Sequence, residues 1–109
     1  MRSIILALLA CLAIAVPTAS AEGYQERNSR VIRAVFGKYG EQAIRVSRCE
    51  AGLTVTAHNG QYLGLFQMGS WERRTYGHHP SSPWVQARAA YRYFVASGRD
   101  WSPWSCKPW

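Results

Sequence analysis

Two cysteines, Cys49 and Cys106, constrain the fold of this chain more than any other feature. They lie 57 positions apart, and they form the pair that remains once a leader carrying the third cysteine, Cys11, is removed. An even pair of cysteines in a small exported chain indicates a disulfide. Closing a loop of this length stabilises a fold by about 4 kcal/mol. The pair therefore predicts a small domain whose C-terminal end is tied back to its middle.

The leader is predicted from residues 1–21. A positive start, an apolar run from Ile4 to Val16 and the triplet Ala19-Ser20-Ala21 are typical of a secretory signal peptide. The run is shorter than the ~20 apolar residues of a membrane span, so stable membrane insertion is not expected. A retained anchor and a lipoprotein site at Cys11 are less favoured alternatives. We predict one secreted or cell-wall domain at residues 22–109, acting as a monomer.

Apolar residues recur at helical spacing along most of this domain. The predicted helices cover about residues 31–39, 41–50, 71–76 (capped by Ser70) and 83–97 (capped by Ser82). The polar segment 22–29 is expected to be loosely held. The last helix is expected to bury Trp84 with Ala87, and the tryptophan-rich tail is expected to pack back onto the domain.

A short hairpin is predicted between the second and third helices. Thr54–Thr56 is β-prone, Asn59-Gly60 is a turn signal, and residues 62–68 form an apolar return strand. Gly64 in the middle of that strand indicates close approach of another backbone or a ligand. The predicted fold class is α+β, mostly helical, with a small β-hairpin and one disulfide.

Glu50 is the candidate catalytic residue. It shares the inward face of its predicted helix with Ala43 and Val46, and a carboxylate there is unfavourable unless it has a partner or a function. A general acid and an ion pair with a nearby arginine both fit this position. Glycosidases usually need two carboxylates. Because none of the other acidic residues of the domain lies in the hairpin, a mechanism with one carboxylate fits better. Those residues are Glu22, Glu26, Glu41, Glu72 and Asp100.

Composition narrows the class of partner. Thirteen Lys and Arg against six Asp and Glu give a net charge of +7, which favours an anionic surface such as a cell wall. No zinc-binding spacing of Cys and His occurs, so neither a metal nor another cofactor is expected. No nucleic-acid module motif occurs either, and nucleic-acid binding is not expected. Several aromatic residues either fill the core or offer flat faces to sugar rings: Tyr62, Trp71, Tyr76, Trp101 and Trp104.

Three motifs in order carry a family resemblance: Cys49-Glu50-Ala51-Gly52, then Ala57-x-Asn59-Gly60-x-Tyr62-x-Gly64-Leu65-Phe66-Gln67, then Trp101-x-x-Trp104-x-Cys106. Together they resemble the transglycosylase-like domain of the resuscitation-promoting factors. More broadly, they resemble soluble lytic transglycosylases and goose-type lysozyme.

The resemblance implies a lysozyme-like fold that cleaves the bond between N-acetylmuramic acid and N-acetylglucosamine in peptidoglycan. It implies that Glu50 is the catalytic acid and base and that Gln67 lines the cleft near the reacting sugar. Asn59 and Tyr62 are then expected to position the substrate. The expected partners are the glycan strands and the anionic wall that contains them.

Two departures from the family pattern leave a second hypothesis open. Ala51 stands where many lytic transglycosylases have serine, and Thr54-Val55 replaces the usual Asn-Pro. A wall-binding or signalling module with little or no catalysis would tolerate both changes. A basic antimicrobial protein is a third, weaker hypothesis.

Overall fold

The computed structural model describes residues 22–109, and the predicted signal peptide at residues 1–21 lies outside the described residues. The elements follow in the order α1 (Tyr24–Phe36), a 3-10 turn (Gly37–Tyr39), α2 (Gly40–Ala51), β1 (His58–Asn59), β2 (Tyr62–Leu63), α3 (Ser70–Tyr76) and α4 (Pro83–Ala96). This is a mostly helical domain with a two-stranded antiparallel hairpin, which confirms the α+β class at that level. No helix of this part of the chain is long and apolar enough to cross a bilayer.

The core forms where α1 packs against α2 and α4. Its centre is aromatic: the Phe36 ring lies 5.4 Å from that of Phe66 and 5.8 Å from those of Phe94 and Trp101. Trp101 and Trp104 are both buried, so the prediction that the C-terminal tail packs onto the domain is confirmed. Large aromatic rings give this small domain much of its buried apolar surface.

Helix α1 begins earlier than the apolar spacing predicted. It starts at Tyr24, and Asn28 and Ser29 are buried within it. The Asn28 side-chain amide donates a 2.8 Å hydrogen bond to the carbonyl oxygen of Leu53, which follows α2. A buried amide satisfied in this way is tolerated at a packed surface. The prediction of a loosely held segment at residues 22–29 is therefore wrong for most of its length.

The hairpin is shorter than predicted. Each strand has two residues, paired as His58 with Leu63 and Asn59 with Tyr62. Thr54–Thr56 is not a strand. The return segment turns soon after β2 because Gly64 (φ +82°) and Gln67 (φ +47°) adopt left-handed conformations, which end an extended strand.

Of the two serine residues predicted to cap a helix, only one does so. Ser82 caps α4 as predicted, because its hydroxyl accepts a 3.2 Å hydrogen bond from the Val85 amide. Ser70 does not cap α3: Gly69 holds the cap position, and the Ser70 hydroxyl donates to the Gln61 side chain at 3.2 Å.

The predicted core face of α4 needs one correction. Ala87 and Phe94 are buried as expected, but Trp84 is 38% exposed. The Arg88 guanidinium lies 5.4 Å over the Trp84 ring, so that ring has a cation–π partner at the surface instead of a place in the core.

Candidate active site

The predicted disulfide is present. Cys49 in the last turn of α2 is bonded to Cys106, with the two Cα atoms 5.9 Å apart. The tail is also fastened next to this bond, where the Lys107 ammonium donates hydrogen bonds to the carbonyl oxygens of Trp101 at 3.2 Å and Ser102 at 3.4 Å, and to that of Trp104. The end of α2 and the C-terminal tail are thus held side by side.

A groove of about 320 Å³ lies where the end of α2, the hairpin and the tail meet. All four residues predicted to act on substrate contribute to its lining, although their chemical roles stay predictions. The lining residues are Glu50, Ala57, His58, Asn59, Tyr62, Gln67, Pro103, Trp104 and Ser105.

Glu50 reaches this groove from the last turn of α2. It is half-buried, whereas Ala43 and Val46 on the same helix are fully buried, so it stands at the edge of the packed face and not within it. Its Oε2 accepts a 3.0 Å hydrogen bond from the backbone N–H of Cys106. This hydrogen bond orients the Glu50 side chain toward the C-terminal tail.

No arginine is paired with Glu50 in the described part of the chain. The two ion pairs found there join Glu22 to Arg30 and Glu41 to Arg33, both at 2.6 Å. The described residues also give the second carboxylate oxygen, Oε1, no hydrogen-bond donor. The ion-pair interpretation of Glu50 therefore finds no support in the geometry, and one oxygen is left to meet a ligand in the groove.

Gln67 links two loop segments beside the groove. Its amide nitrogen donates to the carbonyl oxygens of Ala57 at 3.1 Å and Gly64 at 3.0 Å. Both N–H bonds are thus used within the loop, which leaves only the side-chain oxygen for a ligand. These two bonds also account for the left-handed conformation of Gln67, because they link the segments before and after the hairpin across the turn.

The walls of the groove combine an exposed rim with a fixed aromatic ring. Asn59 and Tyr62 form the pair nearest the hairpin turn, and Tyr62 is 45% exposed. Trp104 is only 5% exposed, and its indole N–H donates a 3.0 Å bond to the carbonyl oxygen of Phe66. The tail side of the groove is therefore packed and hydrogen-bonded at Trp104, while the hairpin side is open to solvent at Tyr62.

Gln86 supports the site but was not predicted from the sequence. Its side chain is buried in α4, where it accepts from the Leu65 amide at 2.8 Å and donates to the carbonyl oxygens of Val55 (3.0 Å) and His79 (2.7 Å). A Cβ on Gly64 would stand 2.6 Å from its oxygen. A close approach at Gly64 is present as predicted, but the neighbour is this side chain and not another backbone or a ligand. The sequence feature that could have indicated this supporting role is a glutamine within an alanine-rich helix.

The groove is chemically simple. Glu50 is the only acidic residue among the described residues that line it. Residues 22–109 contain no group of three His, Cys, Asp or Glu placed to hold a metal ion. Comparisons with protein-family models, curated proteins and solved structures give no match to this chain. The class of site is therefore defined by its own geometry: a single oriented carboxylate on an open groove with polar and aromatic walls.

Proposed function

We propose that this chain is a secreted enzyme that cleaves peptidoglycan, with a lysozyme-like fold and Glu50 as its general acid and base. The bond cleaved is the one between N-acetylmuramic acid and N-acetylglucosamine. The observation that carries this proposal is the placement of Glu50 on the groove: one carboxylate oxygen accepts from the Cys106 amide, and residues 22–109 offer the other no hydrogen-bond donor.

The chemistry follows from having one carboxylate. Protonated Glu50 donates its proton to the glycosidic oxygen, and the bond from that oxygen to the anomeric carbon of the muramic sugar breaks. The 6-hydroxyl of the same sugar attacks the anomeric carbon, and the Glu50 carboxylate accepts its proton. The products are an anhydro-muramic end and a free hydroxyl on the leaving sugar, so no second carboxylate and no water are required.

The walls and charge of the domain suit a polysaccharide in an anionic matrix. An open groove with one exposed tyrosine ring, Tyr62, offers a flat apolar surface beside polar groups. The net charge of +7 attracts the whole protein to an anionic wall. Both features support a glycan strand over a small-molecule substrate.

Glu50→Gln tests the proposal. It retains the size of the side chain and an oxygen acceptor for the Cys106 amide but cannot exchange a proton, so we expect release of muropeptides from purified peptidoglycan to fall by at least about 100-fold. Glu26→Gln is the matched control, because Glu26 is exposed on α1 and lines a different groove. A Glu50→Gln variant that folds and cleaves like the wild type would refute the assignment.

The products decide the type of cleavage. Mass spectrometry should find anhydro-muramic ends if the substrate supplies the nucleophile, and reducing ends if water does. Wild-type protein that sediments with sacculi but releases no fragments would instead identify a wall-binding module.

A further inference from the structure

A row of aromatic side chains leads away from the Glu50 groove. It starts at Trp104 in the groove wall, whose ring centroid lies 5.0 Å from that of Tyr93 on α4. Tyr93 stacks on Tyr76 at 5.2 Å with an interplanar angle of 25°, and Tyr76 meets Trp71 edge to face at 6.3 Å. We call Tyr93, Tyr76 and Trp71 the aromatic arm.

Exposure increases along the arm. Trp104 is buried, Tyr93 and Tyr76 are half-buried, and Trp71 is 57% exposed at its outer end. A large aromatic ring at the surface is informative when it continues a contiguous set instead of standing alone. The arm therefore runs from the buried Trp104 ring in the groove wall to the solvent over α3 and α4.

On the hairpin side, the groove residue Tyr62 lies close to the start of α3, the helix that carries Trp71. The position of a Cβ on Gly69 would lie 3.3 Å from the Tyr62 ring and 2.5 Å from a carboxylate oxygen of Glu72. Tyr62 lines the groove, and Glu72 follows Trp71 in α3. Trp104 thus contacts both the groove and the arm, and Tyr62 brings the hairpin wall of the groove close to the helix that carries Trp71.

The polar groups of the arm suit hydroxyl-rich ligands. Burial, the nearby Glu72 carboxylate and Tyr76 raise the pKa of the Tyr93 hydroxyl, so this phenol stays a neutral donor at ordinary pH. Arg92 holds the middle of the arm by donating to the Tyr76 carbonyl oxygen at 2.6 and 3.2 Å. Flat rings beside a hydroxyl donor and a carboxylate acceptor match the apolar faces and hydroxyl edges of sugar rings.

We infer that the aromatic arm binds sugar residues of the same glycan strand that occupies the Glu50 groove, with Trp71 as the outermost stacking platform. This inference rests on the proposed function, because it assigns the occupant of the arm from the occupant of the groove. It makes binding depend on the length of the glycan: a short ligand fills the groove alone, and a longer one reaches Trp71.

The test measures binding in a Glu50→Gln background, where the ligand is not consumed. The probes are a hexamer and a dimer of N-acetylglucosamine, titrated by calorimetry. We expect Trp71→Ala to weaken hexamer binding by about five- to tenfold and to leave dimer binding unchanged, which corresponds to the loss of one aromatic contact. Trp84→Ala is the matched control, since Trp84 is an exposed tryptophan of α4 outside the arm. It should change neither affinity.

The outcomes distinguish a failure of the inference about the arm from a failure of the proposed function of the groove. Equal hexamer affinities for Trp71→Ala and Trp84→Ala would overturn the arm while leaving the proposed function intact. Equal weakening of dimer and hexamer by Trp71→Ala would also overturn it, because Trp71 would then act on the groove itself. Failure of the Glu50→Gln background to bind either probe or purified glycan strands would overturn the proposed function and the arm together. Circular dichroism and thermal unfolding verify that both tryptophan variants fold.

Discussion

Gly64→Ala is the substitution whose consequence the structure defines most closely. Gly64 has φ +82°, a conformation that residues with a side chain rarely adopt, and the added Cβ would stand 2.6 Å from Oε1 and 2.8 Å from Cδ of Gln86. The Gln86 side chain cannot move aside freely, because it is 4% exposed and holds Leu65, Val55 and His79 through three hydrogen bonds.

Two contributions set the expected loss in the free energy of unfolding. A left-handed conformation costs a residue with a Cβ about 1–2 kcal/mol. Displacing Gln86 leaves the buried Leu65 amide without its acceptor, which costs about 1–3 kcal/mol more. We therefore expect Gly64→Ala to lower the free energy of unfolding by about 2–5 kcal/mol, a large part of the ~5–10 kcal/mol typical of a small domain.

Gly98→Ala separates the backbone cost from the cost of displacing Gln86. Gly98 has nearly the same φ, +79°, but its added Cβ would meet no atom within 4 Å. It should therefore cost only the backbone term of about 1–2 kcal/mol. Urea unfolding followed by the fluorescence of the buried indoles of Trp101 and Trp104 measures both variants under the same conditions. The difference between the two losses, about 2 kcal/mol, is the contribution of the Gln86 contact.

A double-mutant cycle tests the assignment to Gln86. If the new methyl group acts by displacing that side chain, Gly64→Ala combined with Gln86→Ala should cost clearly less than the sum of the single variants. Equal losses for Gly64→Ala and Gly98→Ala, or strict additivity in the cycle, would refute the reasoning.

Two further predictions concern the disulfide and the stability of the domain at low pH. Cys106→Ser should lower the free energy of unfolding by about 4 kcal/mol and reduce peptidoglycan cleavage, because the lost disulfide no longer holds the backbone N–H of residue 106 against Glu50. Identical urea unfolding of the wild type with and without reductant would contradict this. Burial and the nearby Arg73 lower the pKa of His78 from its ordinary value of 6.5, so the unfolded chain binds the proton first and stability falls as the pH drops below about 6.5. His78→Gln should lose less thermal stability than the wild type between about pH 7 and pH 5, and equal losses would exclude His78 as the cause.

The sequence predicted elements whose determinants are local. Ser82 and Pro83 mark the start of α4 because a cap and a first-turn proline act within a few residues. The start of α1 was missed because the partner of Asn28 is the carbonyl of Leu53, 25 positions away. The return strand was overextended for a similar reason: the left-handed turn at Gln67 depends on hydrogen bonds to Ala57 and Gly64, which no apolar pattern contains.

The candidate site was predictable where covalent and local signals coincide. Because Cys49 precedes Glu50, pairing Cys49 with Cys106 places the tail beside the acid, and the structure shows that proximity as a hydrogen bond from the Cys106 amide. The sequence could not show that this N–H, and not an arginine side chain, would be the partner. The role of Gln86 was not predicted, because its three hydrogen-bond partners come from three separate loop segments.

Trp104 connects the stability of the core with the shape of the groove. Its ring lies 5.1 Å from that of Trp101 in the core, while its neighbours Pro103 and Ser105 line the groove beside Glu50. Any opening that lifts the tail therefore loses buried apolar contacts and one wall of the groove at the same time. The disulfide joins this segment to α2 only two residues after Trp104, so it opposes local opening of the site as well as global unfolding. It follows that reduction should impair the groove under conditions where α1, α2 and α4 are still packed together.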